Sequence, residues 1–198
     1  MITEIDVEVP VRTAYDQWTQ FEDFPLFMDH LAAVEQLDDT HVRFEAKILG
    51  LSREWEAEIT EQTPDQRIAW TATDGTDNSG VVTFHALDDT RTRVVLQMEM
   101  DPQGIVEQVA DKGGLADDRA EMDLRKFRDF IEQRGHATGG FRGEVQRDPE
   151  HSRQRRVERY EAMTKEELAH LAAERDIDGR SQMTKEELVE ALAADDAG

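Results

Sequence analysis

Six histidines, 45 carboxylates and a set of regularly spaced aromatic residues are the side chains of this 198-residue sequence with the potential for chemistry. The histidines stand at positions 30, 41, 85, 136, 151 and 170. None is spaced from a second histidine or a suitable carboxylate as metal ligands are, and no His-Glu-x-x-His pattern occurs, so a metal centre is not expected. His30 follows the segment Phe24-Pro-Leu-Phe-Met28 and would either line the mouth of a pocket or stand half-exposed in a loop. His85 shares the outward parity of Val81 and Thr83. The doublets Asp38-Asp39, Asp88-Asp89 and Asp117-Asp118 do not face a common substrate, because adjacent side chains diverge. Each sits at a turn or a helix start, where a carboxylate accepts backbone N–H bonds. No Gly-x-Ser-x-Gly elbow, phosphate loop or dinucleotide fingerprint is present, and no cofactor is expected. What remains is apolar chemistry. Trp18, Phe24, Phe27, Met28, Phe44, Trp55, Trp70, Phe84, Met98, Phe127 and Phe130 are the candidate ligand-binding residues. They would form a greasy interior, and the same residues would serve equally as plain core. Arg53, Thr71, Glu99 and Asp29 fall outside or at edges by parity, so the inner face offers no assured acid or base.

Periodicity defines the elements that must position these residues. Ile5, Val7 and Val9 alternate with Glu4, Asp6 and Glu8, which marks a strand with one buried face. Pro10 ends it, and Val11 to Thr19 suits a short helix carrying Ala14 and Trp18. Alternation resumes at Val42-Phe44-Ala46-Ile48, Trp55-Ala57-Ile59, Ile68-Trp70-Ala72, Val82-Phe84-Ala86 and Val94-Leu96-Met98-Met100. Charged residues fill the gaps, which is the signature of an antiparallel sheet with one wet face. The period then becomes helical. Ala120, Leu124, Phe127 and Ile131 recur at spacings of four, three and four, joined by Met122 and Phe130, with Gly135 as the stop. Ile105 to Val109 suits an earlier turn or two, interrupted by Gly113-Gly114. The order strand, short helix, about six strands, long helix predicts an α+β fold, in which a curved antiparallel sheet wraps one C-terminal helix.

Composition bounds the partners. The formal charge is −22, with 38% hydrophobic and 34% charged residues. Phosphate-rich partners need clustered Lys and Arg, so a broad nucleic-acid surface is excluded over most of the chain. No run of 18 apolar residues and no secretory leader pattern occurs, and a cytoplasmic location is expected. The sequence has no cysteine, which removes disulfides and thiolate sites. Arginine outnumbers lysine 18 to 5. A salt-loving cytoplasm or a GC-rich genome would each produce that bias. Charge also divides the chain: −17 over residues 1–145, +1 over 146–162 and −6 over 163–198. The domains expected are 1–135, a Gly/Arg-rich linker over 136–162, and a C-terminal module over 163–198.

The Ile2–Val9 strand, the Pro10–Trp18 helix, the Phe21-Glu-Asp-Phe-Pro-Leu-Phe-Met28 segment and the closing Asp123–Glu132 helix resemble the START-like helix-grip superfamily. The branch they look like is the polyketide cyclase/dehydrase and coenzyme-Q-binding group, over residues 1–135. That resemblance implies a cavity between sheet and helix for a lipid, quinone or polyketide-like molecule. In the tail, Met163-Thr-Lys-Glu-Glu-Leu168 returns unchanged as Met183-Thr-Lys-Glu-Glu-Leu188, and each Thr with the Glu three residues on is a capping box. This helix–extended–helix unit resembles the Rho termination factor N-terminal-like motif and, more loosely, SAP-type modules. The resemblance implies protein or nucleic-acid contacts through 146–198, where Arg153, Arg155, Arg156 and Arg159 stand beside an acidic module. Three functions therefore stay open. The first is binding or transport of a hydrophobic small molecule without catalysis. The second is a cyclase or dehydrase, and the third is an adaptor acting through its tail.

Overall fold

Alternation of apolar and charged side chains gives seven strands, and helical spacing gives the element that covers them. The computed structural model describes residues 1–48, 50–73, 78–100, 115–146, 148, 153–154, 157–158 and 160–195. Two compact units result, residues 1–146 and residues 147–198.

In the first unit, β1 (Ile2–Val7) leads into α1 (Val11–Trp18) and a 3-10 turn over Phe21–Leu26. Six strands follow: β2 (Leu31–Gln36), β3 (His41–Ile48), β4 (Leu51–Thr63), β5 (Arg67–Ala72), β6 (Asn78–Ala86) and β7 (Thr92–Met100). The long helix α2 (Leu115–Arg134) closes the unit. All neighbours are antiparallel, in the spatial order β1-β7-β6-β5-β4-β3-β2. Only β1 is out of chain order, set beside β7. The sheet curls, as twisted antiparallel strands do, and register shifts at Leu31/Ala33 and Ile59/Glu61 add to the bend. The expected α+β helix-grip architecture is the one observed. β2 is the strand whose sequence carries no clean alternation, and the turn expected at Ile105–Val109 lies outside the described residues.

Parity assigns the faces. Arg93 stands opposite Asp6 and donates to it at 2.7 and 3.0 Å, and Arg43 opposite Glu56 donates at 2.7 and 3.0 Å. These pairs lie on the wet side. Val42, Ala46, Ala57, Ile68, Val82, Val94 and Leu96 are buried on the other face. Ala120, Leu124, Phe127 and Ile131 of α2 are buried with them. Met122, expected on that stripe, is instead 48% exposed, because the buried stripe follows positions 120, 124, 127 and 131 and passes it by. The acidic doublets behave as turns: Asp38 accepts from the Thr40 and His41 backbone N–H groups at 2.8 Å, and Asp88 from Thr90 at 2.9 Å.

The Gly/Arg-rich stretch does not start as a linker. Residues 138–145 lie along the first unit as a strap. Thr138 N donates to Gln17 Oε1 (2.9 Å) and Phe141 N to Thr19 Oγ1 (2.9 Å). Val145 and Gln62 exchange backbone hydrogen bonds at 2.8 and 3.0 Å. Arg142 grips Asp65 through two nitrogens (2.6 and 3.0 Å) and Asp16 through one (2.7 Å), with its guanidinium 5.5 Å from the Tyr15 ring centroid. A Cβ on Gly140 would stand 2.8 Å from the Asp16 carboxyl carbon, so the strap needs glycine to approach α1.

The second unit holds α3 (Lys165–Glu174) and α4 (Lys185–Asp195), joined by a 3-10 turn over Arg180–Gln182. Thr164 and Glu167 form a complete capping box, and Thr184 with Glu187 repeats its two backbone bonds at 2.7 and 3.2 Å. Leu168, Ala172, Leu188, Val189, Leu192 and Ala193 make a small core, which Tyr160 completes from before the expected module start at residue 163. Among the described residues, no helix is long and apolar enough to cross a membrane.

Candidate functional site

The aromatic side chains separate into two groups on the inner face. Trp18 meets Phe127, Phe24 and Phe84 edge-on, with centroids 4.9, 5.7 and 6.2 Å apart. Phe27 meets Phe24, Phe127 and Phe130 at 5.5, 5.4 and 5.4 Å. Of these, Trp18, Phe24, Phe27, Phe84 and Phe127 are buried and Phe130 is half-buried. The short helix, the 3-10 turn and α2 thus close one end of the interior with interlocked rings. Tyr15 belongs to the same end, 5.5 Å from Phe84, although periodicity did not single it out.

The second group is less closed. Phe44 and Trp55 are opposite residues of β3 and β4 and stack at 5.3 Å with planes 8° apart. Across the next strands, Ile59, Trp70, Gly80 and Met98 form one transverse row. Gly80 lets the Trp70 ring lie against the sheet, since a Cβ there would stand 2.6 Å from Trp70 Cζ2. Trp55 is buried, while Phe44, Trp70, Met98 and Met28 are only half-buried although they pack on the core. Half-buried aromatic faces on the concave side are what an apolar molecule would cover.

A polar pair stands on this inner side. The link between the 3-10 turn and β2 carries Asp29 and His30, and α2 carries Arg119, Asp123 and Lys126 at i, i+4 and i+7. Asp123 Oδ2 lies 3.4 Å from His30 Nδ1, and the Asp123 side chain is only 9% exposed. Burial pushes the Asp123 carboxyl up to about 7, against the smaller opposing pull of Arg119 and Lys126. Burial likewise brings His30 down to about 4, reinforced by Arg119. Between those values the carboxyl is protonated and the imidazole neutral, so the site holds one proton donor on Asp123 and, on His30, one ring nitrogen with a hydrogen and one with a free lone pair. Lys126 Nζ is paired with Asp29. A neutral acid thus stands beside a neutral imidazole, both displaced from their ordinary values by burial.

The inner face therefore does hold an ionisable acid, contrary to the uncharged interior expected from strand parity. Asp123 lies on the apolar stripe of α2, three residues after Ala120 and four before Phe127. That spacing is the signal by which sequence could have found it. His30 lies in the link before β2 with its side chain 22% exposed, more buried than the half-exposed loop position expected for it. Among the described residues, no group of three or more His, Asp or Glu is arranged to hold a metal ion.

Comparison with known proteins bears on the family and the fold. The family model for polyketide cyclase / dehydrase and lipid transport matches residues 7–127. An uncharacterised 17.2 kDa protein from the melC2–rnhH intergenic region of Streptomyces lincolnensis is 50% identical over 142 residues, which is 71% of this chain and 95% of that protein. A Deinococcus radiodurans crystal structure superposes with a TM-score of 0.53 at 29% identity, covering 67% of this chain and 97% of the other. The Zhui aromatase/cyclase from Streptomyces sp. R1128 shares the fold with a TM-score of 0.57 at 17% identity, over 71% and 98% of the two chains. With the matched segment running from the end of β1 into the buried stripe of α2, the chain belongs to the polyketide cyclase / dehydrase and lipid transport family.

Proposed function

We propose that the first unit binds a hydrophobic small molecule against the inner face of its sheet, with Phe44, Trp55, Trp70 and Met98 as the principal contacts. The observation that carries this reading is the stacked Phe44–Trp55 pair beside the half-buried Trp70–Gly80–Met98 row, set apart from the interlocked rings that seal the other end. Stacking surfaces favour ring-bearing or long-chain apolar ligands. The neutral fluorophore N-phenyl-1-naphthylamine tests it. Saturable enhancement, displaced by 1-decanol, is the expected result, and Phe44→Ala and Trp70→Ala should each weaken the fluorophore about tenfold. Emission that rises linearly without saturation overturns the proposal.

A second reading, cyclase- or dehydrase-type catalysis, is favoured by the His30–Asp123 pair. Neutral His30 would take the proton from a carbon next to a carbonyl, while the Asp123 carboxyl would give its proton to the developing oxygen anion. Exchange of the α-protons of a β-diketone into deuterated buffer, followed by NMR, checks it. Loss of the catalysed rate in both His30→Gln and Asp123→Asn supports the reading, and a wild-type rate equal to buffer alone removes it.

A further inference from the structure

Arg119 makes no ion pair or hydrogen bond among the described residues, although Asp123 lies one helical turn away on the same face of α2. It is half-buried, and its charge acts on both Asp123 and His30. Lys126, the other cation on this face, is already matched by Asp29. Among the described residues the cluster thus has one uncommitted guanidinium, a buried carboxyl 3.4 Å from an imidazole, and that imidazole's own ring N–H. All three can donate, and among the described residues the anion that acts on them, Asp29, is paired with Lys126.

We propose that Arg119, Asp123 and His30 receive the ionised oxygen of an amphipathic ligand, a carboxylate or an enolate, whose apolar body lies on the Phe44–Trp55 and Trp70–Met98 surface. This rests on the binding reading above and specifies the ligand's polar end. An anion arriving here cannot share the site with an ionised Asp123, because two negative charges in a half-dry pocket repel. Binding is therefore linked to proton occupancy of Asp123. Among the described residues, the titratable and charged groups facing it are His30 and Asp29 from the link before β2, and Arg119 and Lys126 from α2. Asp29 and Lys126 neutralise each other, and His30 stays neutral through the range in question. Above neutrality, Asp123 must take up a proton for the anion to bind, and affinity falls by up to about tenfold per pH unit.

Competition against N-phenyl-1-naphthylamine with full-length protein tests this, using decanoate and 1-decanol as probes at pH 6 and pH 9. Decanoate remains ionised at both values, so any change comes from the protein. At pH 6, decanoate should bind at least tenfold more tightly than decanol, and the preference should shrink at least tenfold by pH 9. Arg119→Gln should bring the decanoate-to-decanol ratio to within about twofold of one, Arg119→Lys should restore most of it, and Asp123→Asn should keep a preference that no longer varies with pH. Equal affinity for the two probes in wild type, or a preference untouched by Arg119→Gln, overturns the inference and leaves apolar binding standing. Failure of both probes to displace the fluorophore overturns the two together.

Discussion

Gln62 Nε2 donates a 2.9 Å hydrogen bond to Tyr15 Oη, and both side chains are fully buried. The bond ties β4 to α1 across the interior. Burial raises the Tyr15 pKa, against the smaller lowering by Gln62, so the phenol stays neutral and able to accept. Removing the hydroxyl leaves the Gln62 amide buried with an unmet donor, a cost of about 1–3 kcal/mol. Tyr15→Phe should show that loss in urea denaturation. Adding Gln62→Leu should recover part of it, because the orphaned donor goes too; a double mutant as unstable as the sum of the singles would contradict the account.

Arg142 fixes the strap by its grip on Asp65 and Asp16. The guanidinium is about one-third exposed, so solvent screening reduces the value of the pairs, and Arg142→Ala should cost about 1–2 kcal/mol. Strap release is the more specific readout. Trypsin should cut after Arg134 several-fold faster in the variant, with the rest of the first unit intact. Unchanged cleavage would mean that the backbone bonds of Thr138, Phe141 and Val145 suffice.

These two features show what the sequence leaves hidden. Strict alternation from Trp55, Ala57 and Ile59 sends Gln62 outward with Glu54, Glu56 and Glu58. The register shift between Ile59 and Glu61 turns it inward, and a bulge leaves no compositional mark here. The strap reads as linker because its Gly and Arg residues have no apolar period; its order comes from hydrogen bonds to Gln17, Thr19 and Gln62. The sheet and α2 were legible because each repeats one period over many residues. Of the candidate site, the aromatic inner face was legible in the same way, but its division into sealed and half-open groups depends on ring orientation. Asp123 escaped because a single acid on an apolar stripe does not disturb the period.

Gly80 sits between Trp70 and the carbonyl of Gln97, and a Cβ there would lie 2.6 Å from the ring and 2.8 Å from that oxygen. The ring can rotate away, but the carbonyl belongs to the β6–β7 ladder and cannot. Gly80→Ala should cost about 1–3 kcal/mol by overpacking. It should also shift tryptophan emission and weaken N-phenyl-1-naphthylamine several-fold by displacing Trp70. A stable variant with wild-type emission would show that the Trp70–Gly80 contact is not held in solution.

The His30–Asp123 pair gives opposing pH dependences that single variants separate. Asp123 is raised from an ordinary value of 3.8 to about 7, so the folded chain holds its proton where the unfolded chain has lost it. Its contribution to stability therefore falls as pH rises from 3.8 to 7. His30 is lowered from 6.5 to about 4, so between those values the unfolded chain binds the extra proton, and its contribution rises with pH. Each slope approaches about 1.4 kcal/mol per pH unit at most, and over pH 4–6.5 they largely cancel. His30→Gln removes the rising term, so its melting temperature, measured relative to wild type, should fall steadily from pH 4 to 7. Asp123→Asn removes the falling term, so its relative melting temperature should climb over the same span and level off above neutrality. The variant should then be more stable than wild type at pH 8, where Asp123 would otherwise be buried and charged. Parallel pH profiles for the two variants would mean that neither group is titrated away from its ordinary value in the folded protein.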